Sequence, residues 1–261
     1  MLRNRCFQAA AILAMVAVPP AGVPLFAAEP LPLEKLAFKN GERSLPYRLL
    51  VPQTVEAGKE YPLVIFLHGA GERGTDNEKP LVHGVPQFCT KENREKYPCY
   101  LIAPQCPDGA RWVEVDWSAA SHAMPKEPSE PMKLLLDLIA ATMKDRPIDA
   151  KRVYATGLSM GGFGTWDLLA RKPDLFAAAA VVCGGADEAT AATVKGIPVW
   201  VFHGAKDGAV KPSRSRNMVA ALEKVGAKPK FTEYPTVGHD AWNPAYKDPE
   251  LFAWMFAQKK D

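Results

Sequence analysis

Apolar positions along the 261-residue chain follow two rhythms. From Tyr61, "YPLVIFLHGAGERG" is an unbroken apolar run that ends in glycines, the pattern of a strand covered on both faces that stops at a loop. The same pattern returns in "YLIAP" (Tyr100 to Pro104), "RVYATG", "AAAAVVCGG", "PVWVFHG" and "KFTEYP". Between these runs the spacing becomes helical, in "PMKLLLDLIAATMKD", "GFGTWDLLARK", "PSRSRNMVAALEKVG" and the terminal "DPELFAWMFAQ". Upstream, "KLAFKNGERSLPYRLLVP" is two short runs about the Asn40-Gly41 pair, which predicts a tight hairpin. Strands alternating with helices predict one α/β domain with a mostly parallel, doubly wound sheet and an antiparallel hairpin at its edge. One segment, Gln105 to Glu130, fits neither rhythm; it carries Trp112, Trp117, His122 and several prolines, and so long a loop in a compact domain is usually functional.

The first residues change that picture. Arg3 and Arg5 precede the apolar run "AAAILAMVAV", and small residues follow at Ala27 and Ala28, the layout of a secretory signal peptide. The run is too short to span a bilayer. The expectation is a signal over residues 1–28, removed after Ala28, and a domain over 29–261 that is secreted or periplasmic and not embedded in a membrane. Cys6 lies ahead of the apolar run, so it is not placed as a lipoprotein acceptor. Cys89, Cys99, Cys106 and Cys183 then remain; an oxidising compartment permits a Cys89–Cys99 bridge, and buried free thiols are the other reading. No Cys-x-x-Cys pair or His/Cys cluster suggests a metal, and no cofactor is expected. A formal charge of +3 with both signs scattered makes nucleic acid and anionic membrane poor partners.

Candidate chemistry centres on "VYATGLSMGGFGTW", Val153 to Trp166. Gly157-Leu158-Ser159-Met160-Gly161 is a G-x-S-x-G elbow with a strand before it and a helix after it, the context that gives the motif meaning. A serine hydroxyl needs a base, and the base an orienting carboxylate, expected downstream in the order Ser, acid, His. Asp207 in "FHGAKDGAVKP" and His239 in "EYPTVGHDAWN" both follow strand ends. Asp187 is the alternative acid; Asp240 adjoins the histidine but is poorly placed to turn back on it. His68 and His203 read as structural, and His83 and His122 precede the elbow. Oxyanion donors are expected at the Met160 N–H and, from the loop after "VIFLHG", at the Ala70 N–H, with Gly71 the next choice. Trp112, Trp117 and Trp242 either line an apolar substrate pocket or pin the long loop to the domain. Glu72, Arg73, Asp76 and Asn77 read as shaping the oxyanion loop through salt bridges.

With "LHGAGERGTDN", "APQCP", "RWVEVDWS", "GLSMGGFGTWDLLAR", "CGGAD" and "HGAKDGAV", the chain from about Leu45 onward resembles the secreted α/β-hydrolases of the branch containing feruloyl esterases, polyhydroxybutyrate depolymerases and dienelactone hydrolases. Prolyl oligopeptidase catalytic domains are more distant relatives. The resemblance implies the α/β-hydrolase fold, the triad Ser159, Asp207 and His239, and oxyanion positions at Ala70 and Met160. It leaves the substrate open. An aryl or short-acyl ester, free or linked to plant polysaccharide, is the expected substrate; a peptidase acting on small peptides and a non-catalytic binding protein are the competing readings. Turnover of a p-nitrophenyl ester separates enzyme from binder, and an aminoacyl-proline amide tests the peptidase.

Overall fold

Hydrophobic alternation inside the strands sorts side chains to two faces of one sheet. A computed structural model describes residues 31–261, so the segment read as a signal peptide and Cys6 lie outside the described residues. In chain order the strands are β1 (Leu33–Asn40), β2 (Arg43–Leu50), β3 (Tyr61–Leu67), β4 (Tyr100–Pro104), β5 (Ile148–Leu158), β6 (Ala178–Val182), β7 (Val199–Gly204) and β8 (Lys230–Tyr234). The helices are α1 (Val85–Phe88), α2 (Lys91–Lys96), α3 (Glu130–Asp145), α4 (Met160–Arg171), α5 (Ala191–Val194), α6 (Ser213–Lys224), α7 (Trp242–Lys247) and α8 (Pro249–Ala257). The sheet order is β1-β2-β4-β3-β5-β6-β7-β8; β1/β2 and β2/β4 pair antiparallel and the others parallel.

Every residue of β3 is buried, and the period of two divides them. Leu63, Ile65 and Leu67 enter a core with Leu135 and Leu138 of α3, Phe163 of α4 and Met218 of α6. Val64 and Phe66 enter a second core with Phe88 of α1, Tyr246 of α7 and Phe252 of α8. Covering both faces in this way is what a mostly parallel sheet requires. The edge hairpin differs from expectation by one residue: Asn40 pairs with Arg43, so the loop is Gly41-Glu42 rather than Asn40-Gly41. Gly41 at φ 61° supplies the left-handed conformation of the turn.

Helix α3 starts where its sequence dictates. Ser129 caps it by accepting the Met132 N–H, Pro131 occupies the first turn, and the helix stops before Pro147. Its buried residues Met132, Leu135, Leu138, Ile139 and Thr142 recur at three- and four-residue intervals. Residues 105–129 contain no helix or strand, as expected of the long loop. Because six consecutive parallel strands point the same way, the loops after β3, β4, β5, β6, β7 and β8 gather at one edge of the sheet, the usual place for a site.

Candidate active site

Ser159 stands between β5 and α4 with φ 53° and ψ −119°, a backbone state costly for any residue with a Cβ. The neighbours hold it there. Its N–H donates to the Val182 carbonyl at the end of β6, and its carbonyl accepts the Phe163 N–H. Gly161 is obligatory because a Cβ there would fall on the Leu67 and His68 carbonyls at the end of β3.

The structure brings together the three residues picked from sequence. His239 Nε2 lies 2.8 Å from Ser159 Oγ, and His239 Nδ1 lies 2.7 Å from Asp207 Oδ2. Asp207 is buried, and its Oδ1 also accepts the N–H groups of Ala209 and Val210 at 2.8 and 2.9 Å. Burial pushes this carboxyl up, but hydrogen bonds from His203, His239 and the Val210 N–H outweigh it and hold the group well below the ordinary carboxylate range. An ionised Asp207 accepts a hydrogen from Nδ1, which leaves Nε2 free to accept the serine proton. His203, buried with Nδ1 2.7 Å from Ser215 Oγ, has Nε2 3.0 Å from the Val210 carbonyl and 3.2 Å from Asp207 Oδ2. It is structural as expected, and the structure it supports is the carboxylate.

The alternative acid is occupied elsewhere. Asp187 accepts the Ala189 N–H on one oxygen and the Met124 N–H on the other, so it ties the long loop to the segment after β6. Asp240 turns toward Asn243, 3.3 Å away.

On the β3 side, Met160 opens α4 and Ala70 opens a 3₁₀ turn over Ala70–Glu72, so neither N–H has an acceptor within its own helix. His68 sets the direction of the second. The Cys106 N–H donates to His68 Nε2 at 2.9 Å, so Nδ1 carries the hydrogen and donates to the Gly69 carbonyl at 2.6 Å. The Ala70 N–H, on the far side of the same planar peptide, is thereby turned away from His68. Burial pushes the His68 imidazole down to about 4, which keeps it neutral. The loop holds its shape chiefly through hydrogen bonds to backbone, not the expected salt bridges. Arg73 donates to the Ala70 and Ala110 carbonyls, and the Asn77 amide to those of Leu36 and Tyr47. Asp76 accepts the Glu78 and Lys79 N–H groups, which draw it down to about 2; its contact with Lys79 Nζ is 3.8 Å. Buried Gln105, unremarked in the sequence, braces the loop by accepting from the Asn77 N–H and donating to the Glu72 carbonyl and Asp76.

The tryptophans divide. Trp112, expected as a possible pocket residue, is fully buried: Nε1 donates to the His68 carbonyl, and the side chain packs on Gly164, so it pins the loop. Trp117 lies under the Arg111 guanidinium, 4.5 Å from ring centroid to charge. Trp242 stands beside the site, its ring perpendicular to His239 at 5.2 Å and tilted against His83 at 5.1 Å.

All four described cysteines are free, Cys89 and Cys99 included. Cys183 sits under the site at φ 41° and donates its thiol to the His239 carbonyl, 3.4 Å away. Its sulfur and ligand atoms of Asp207 and His239 lie within 4.8 Å of one another. That set suits a metal poorly, because burial raises the Cys183 thiol far above its ordinary value while the other two already bond to each other.

The chain is similar to known proteins. The family model for the "Dienelactone hydrolase family" matches residues 111–250, more than half of the chain. A solved structure described as a thermostable esterase superposes with a TM-score of 0.81 at 37% identity, over 88% of this chain and 64% of its own. A rice protein (Oryza sativa subsp. japonica) named "Probable carboxylesterase" is 24% identical over 72% of this chain and 75% of its own length. An "Uncharacterized secreted protein" of Arthroderma benhamiae is 26% identical over 72% of this chain, which spans only 23% of that relative. With its eight-stranded sheet, antiparallel edge and serine elbow, the chain has the α/β-hydrolase fold and belongs to the dienelactone hydrolase family.

Proposed function

We propose that the protein hydrolyses carboxylic esters through an acyl-enzyme on Ser159. The observation that carries this reading is the continuous chain from Ser159 Oγ through both nitrogens of His239 to Asp207, with contacts of 2.8 and 2.7 Å. Ser159 Oγ attacks the ester carbonyl carbon as its proton passes to His239 Nε2. The new carbonyl oxyanion meets the Met160 and Ala70 N–H groups, where a preorganised donor is worth about 3 kcal/mol. Collapse breaks the bond to the leaving alcohol, which takes the proton from Nε2. Water then attacks the acyl-serine by the same route and releases the acid, restoring Ser159 and neutral His239. None of these steps uses a metal or an organic cofactor.

The substrate class is an aryl or short-acyl ester such as a feruloyl or acetyl ester of plant polysaccharide. Trp242 against His239 supports an aromatic surface beside the serine. We also read residues 1–28 as an export signal, in keeping with the secreted relative and with the lack, among the described residues, of a helix long and apolar enough to cross a membrane. p-Nitrophenyl acetate and methyl ferulate test the activity. The wild type turns both over, and Ser159→Ala loses at least about 10⁴-fold in kcat/KM. Equal rates for the two proteins would contradict the reading.

A further inference from the structure

His83 precedes the elbow in the chain, yet the fold brings it beside the site. It belongs to a row of rings, His83–Trp242–His239, with successive centroids 5.1 and 5.2 Å apart. Glu72 Oε1 lies 3.8 Å from His83 Nε2. Glu72 is itself next to the nucleophile: the point where a Cβ on Gly69 would sit is 2.9 Å from Glu72 Oε2 and 3.6 Å from Ser159 Cβ. A second carboxylate–imidazole pair therefore lies beside the triad.

Two further features separate this pair from ordinary surface polarity. Glu72 Oε2 and Trp242 Nε1 are both buried and have no hydrogen-bond partner among the described residues. Unpaired acceptors and donors at such depth are uncommon and costly. His83, by contrast, is within reach of a ligand, with 32% of its side chain exposed. The row extends from His239, whose Nε2 hands the proton to the departing alcohol, and Trp242 and His83 are the rings that follow it.

We propose that His83, flanked by Trp242 and with Glu72 3.8 Å away, forms the subsite that binds the sugar alcohol of the ester substrate. An indole face covers the apolar C–H face of a pyranose or furanose, and an imidazole bonds its hydroxyls. A simple alkyl alcohol offers neither match. His83 is here a substrate-binding residue and Glu72 a positioning residue that acts through it. The inference rests on the ester-hydrolase reading above.

The test uses esters of one acid that differ only in the alcohol: methyl ferulate against 5-O-feruloyl-arabinose, and the matching acetyl pair. The readout is selectivity, kcat/KM for the sugar ester divided by that for the methyl ester. His83→Ala is expected to lower this ratio about ten-fold, the worth of one substrate hydrogen bond, through KM of the sugar ester. His83→Gln, which keeps hydrogen-bonding capacity and the volume, is expected to recover part of it, and Glu72→Gln to lower it less than His83→Ala does. Wild-type turnover with an unchanged ratio in both His83 variants overturns the subsite and leaves the hydrolase reading standing. No wild-type turnover of either ester in either series overturns both.

Discussion

At the scale of single residues, the site is a balance between strain and hydrogen bonding. Ser159 and Cys183 both hold positive φ angles without being glycine, at the ends of neighbouring strands β5 and β6. Such states persist where the surroundings fix them, here through the Ser159 N–H to Val182 bond and the Cys183 thiol on the His239 carbonyl. Asp207 is the most heavily bonded group of the site, and its role is best tested by a change that keeps its shape. Asp207→Asn exchanges an acceptor for an amide facing His239 Nδ1, favouring the wrong tautomer. The expected result is a fall of about 10⁴-fold in kcat with little change in KM. Loss of less than ten-fold would mean that another carboxylate orients His239. Ser159, Asp207 and His239 were legible because an elbow and two strand-end loops constrain residue type over a few positions. Gln105, His83 and Cys183 were not, because their roles come from contacts with residues far away in the chain, which local spacing cannot encode.

At the scale of elements, the long loop is ordered by what it is tied to. Its segment Ala119–Lys126 is anchored by buried Arg214, which donates to the Ala119 carbonyl and lies 2.5 Å from His122 Nδ1. Asp187 holds it at Met124, and Arg171 at the Pro125 and Lys126 carbonyls. Arg171 is oriented in turn by a two-bond pair with Asp167 one turn earlier in α4, at 2.7 and 3.1 Å, both side chains largely buried. Removing one member leaves the other uncompensated, so Arg171→Ala is expected to cost about 3–5 kcal/mol in urea unfolding. A loss below about 1 kcal/mol would show that the pair is effectively solvated and does not hold the strap. The eight strands and four longer helices were readable from periodicity, because each carries a complete repeat of its apolar pattern. The short α1, α2, α5 and α7 were not, since four to six residues display barely one turn. The hairpin turn slipped by one residue for a related reason: Asn-Gly marks a turn, but strand register decides which two residues form it.

At the scale of the whole molecule, imidazoles that folding takes wholly or partly out of water couple stability to pH. Burial pushes His68 down to about 4, and burial together with the Arg214 charge does the same to His122. An unfolded chain protonates both near 6.5. Between about pH 4 and 6.5 the unfolded state therefore binds more protons, so stability rises with pH across that window and falls on acidification. For His68 alone the loss is roughly 3 kcal/mol. Asp207 extends the trend at lower pH: its carboxyl is depressed, so its contribution is present above the ordinary value of 3.8 and drains away as pH falls further. Urea unfolding at pH 7, 5.5 and 4.5 should give steadily lower stability, and a flat profile would contradict neutral His68 and His122.

The central claim is that Ser159 is a nucleophile activated by His239, and active-site labelling tests it most directly. Exposure of the native protein to a fluorophosphonate, followed by intact-mass and peptide-level mass spectrometry, should show one adduct per chain, located on Ser159, and lost in His239→Ala and after unfolding. An unlabelled native protein, or an adduct on any other residue, would contradict the account.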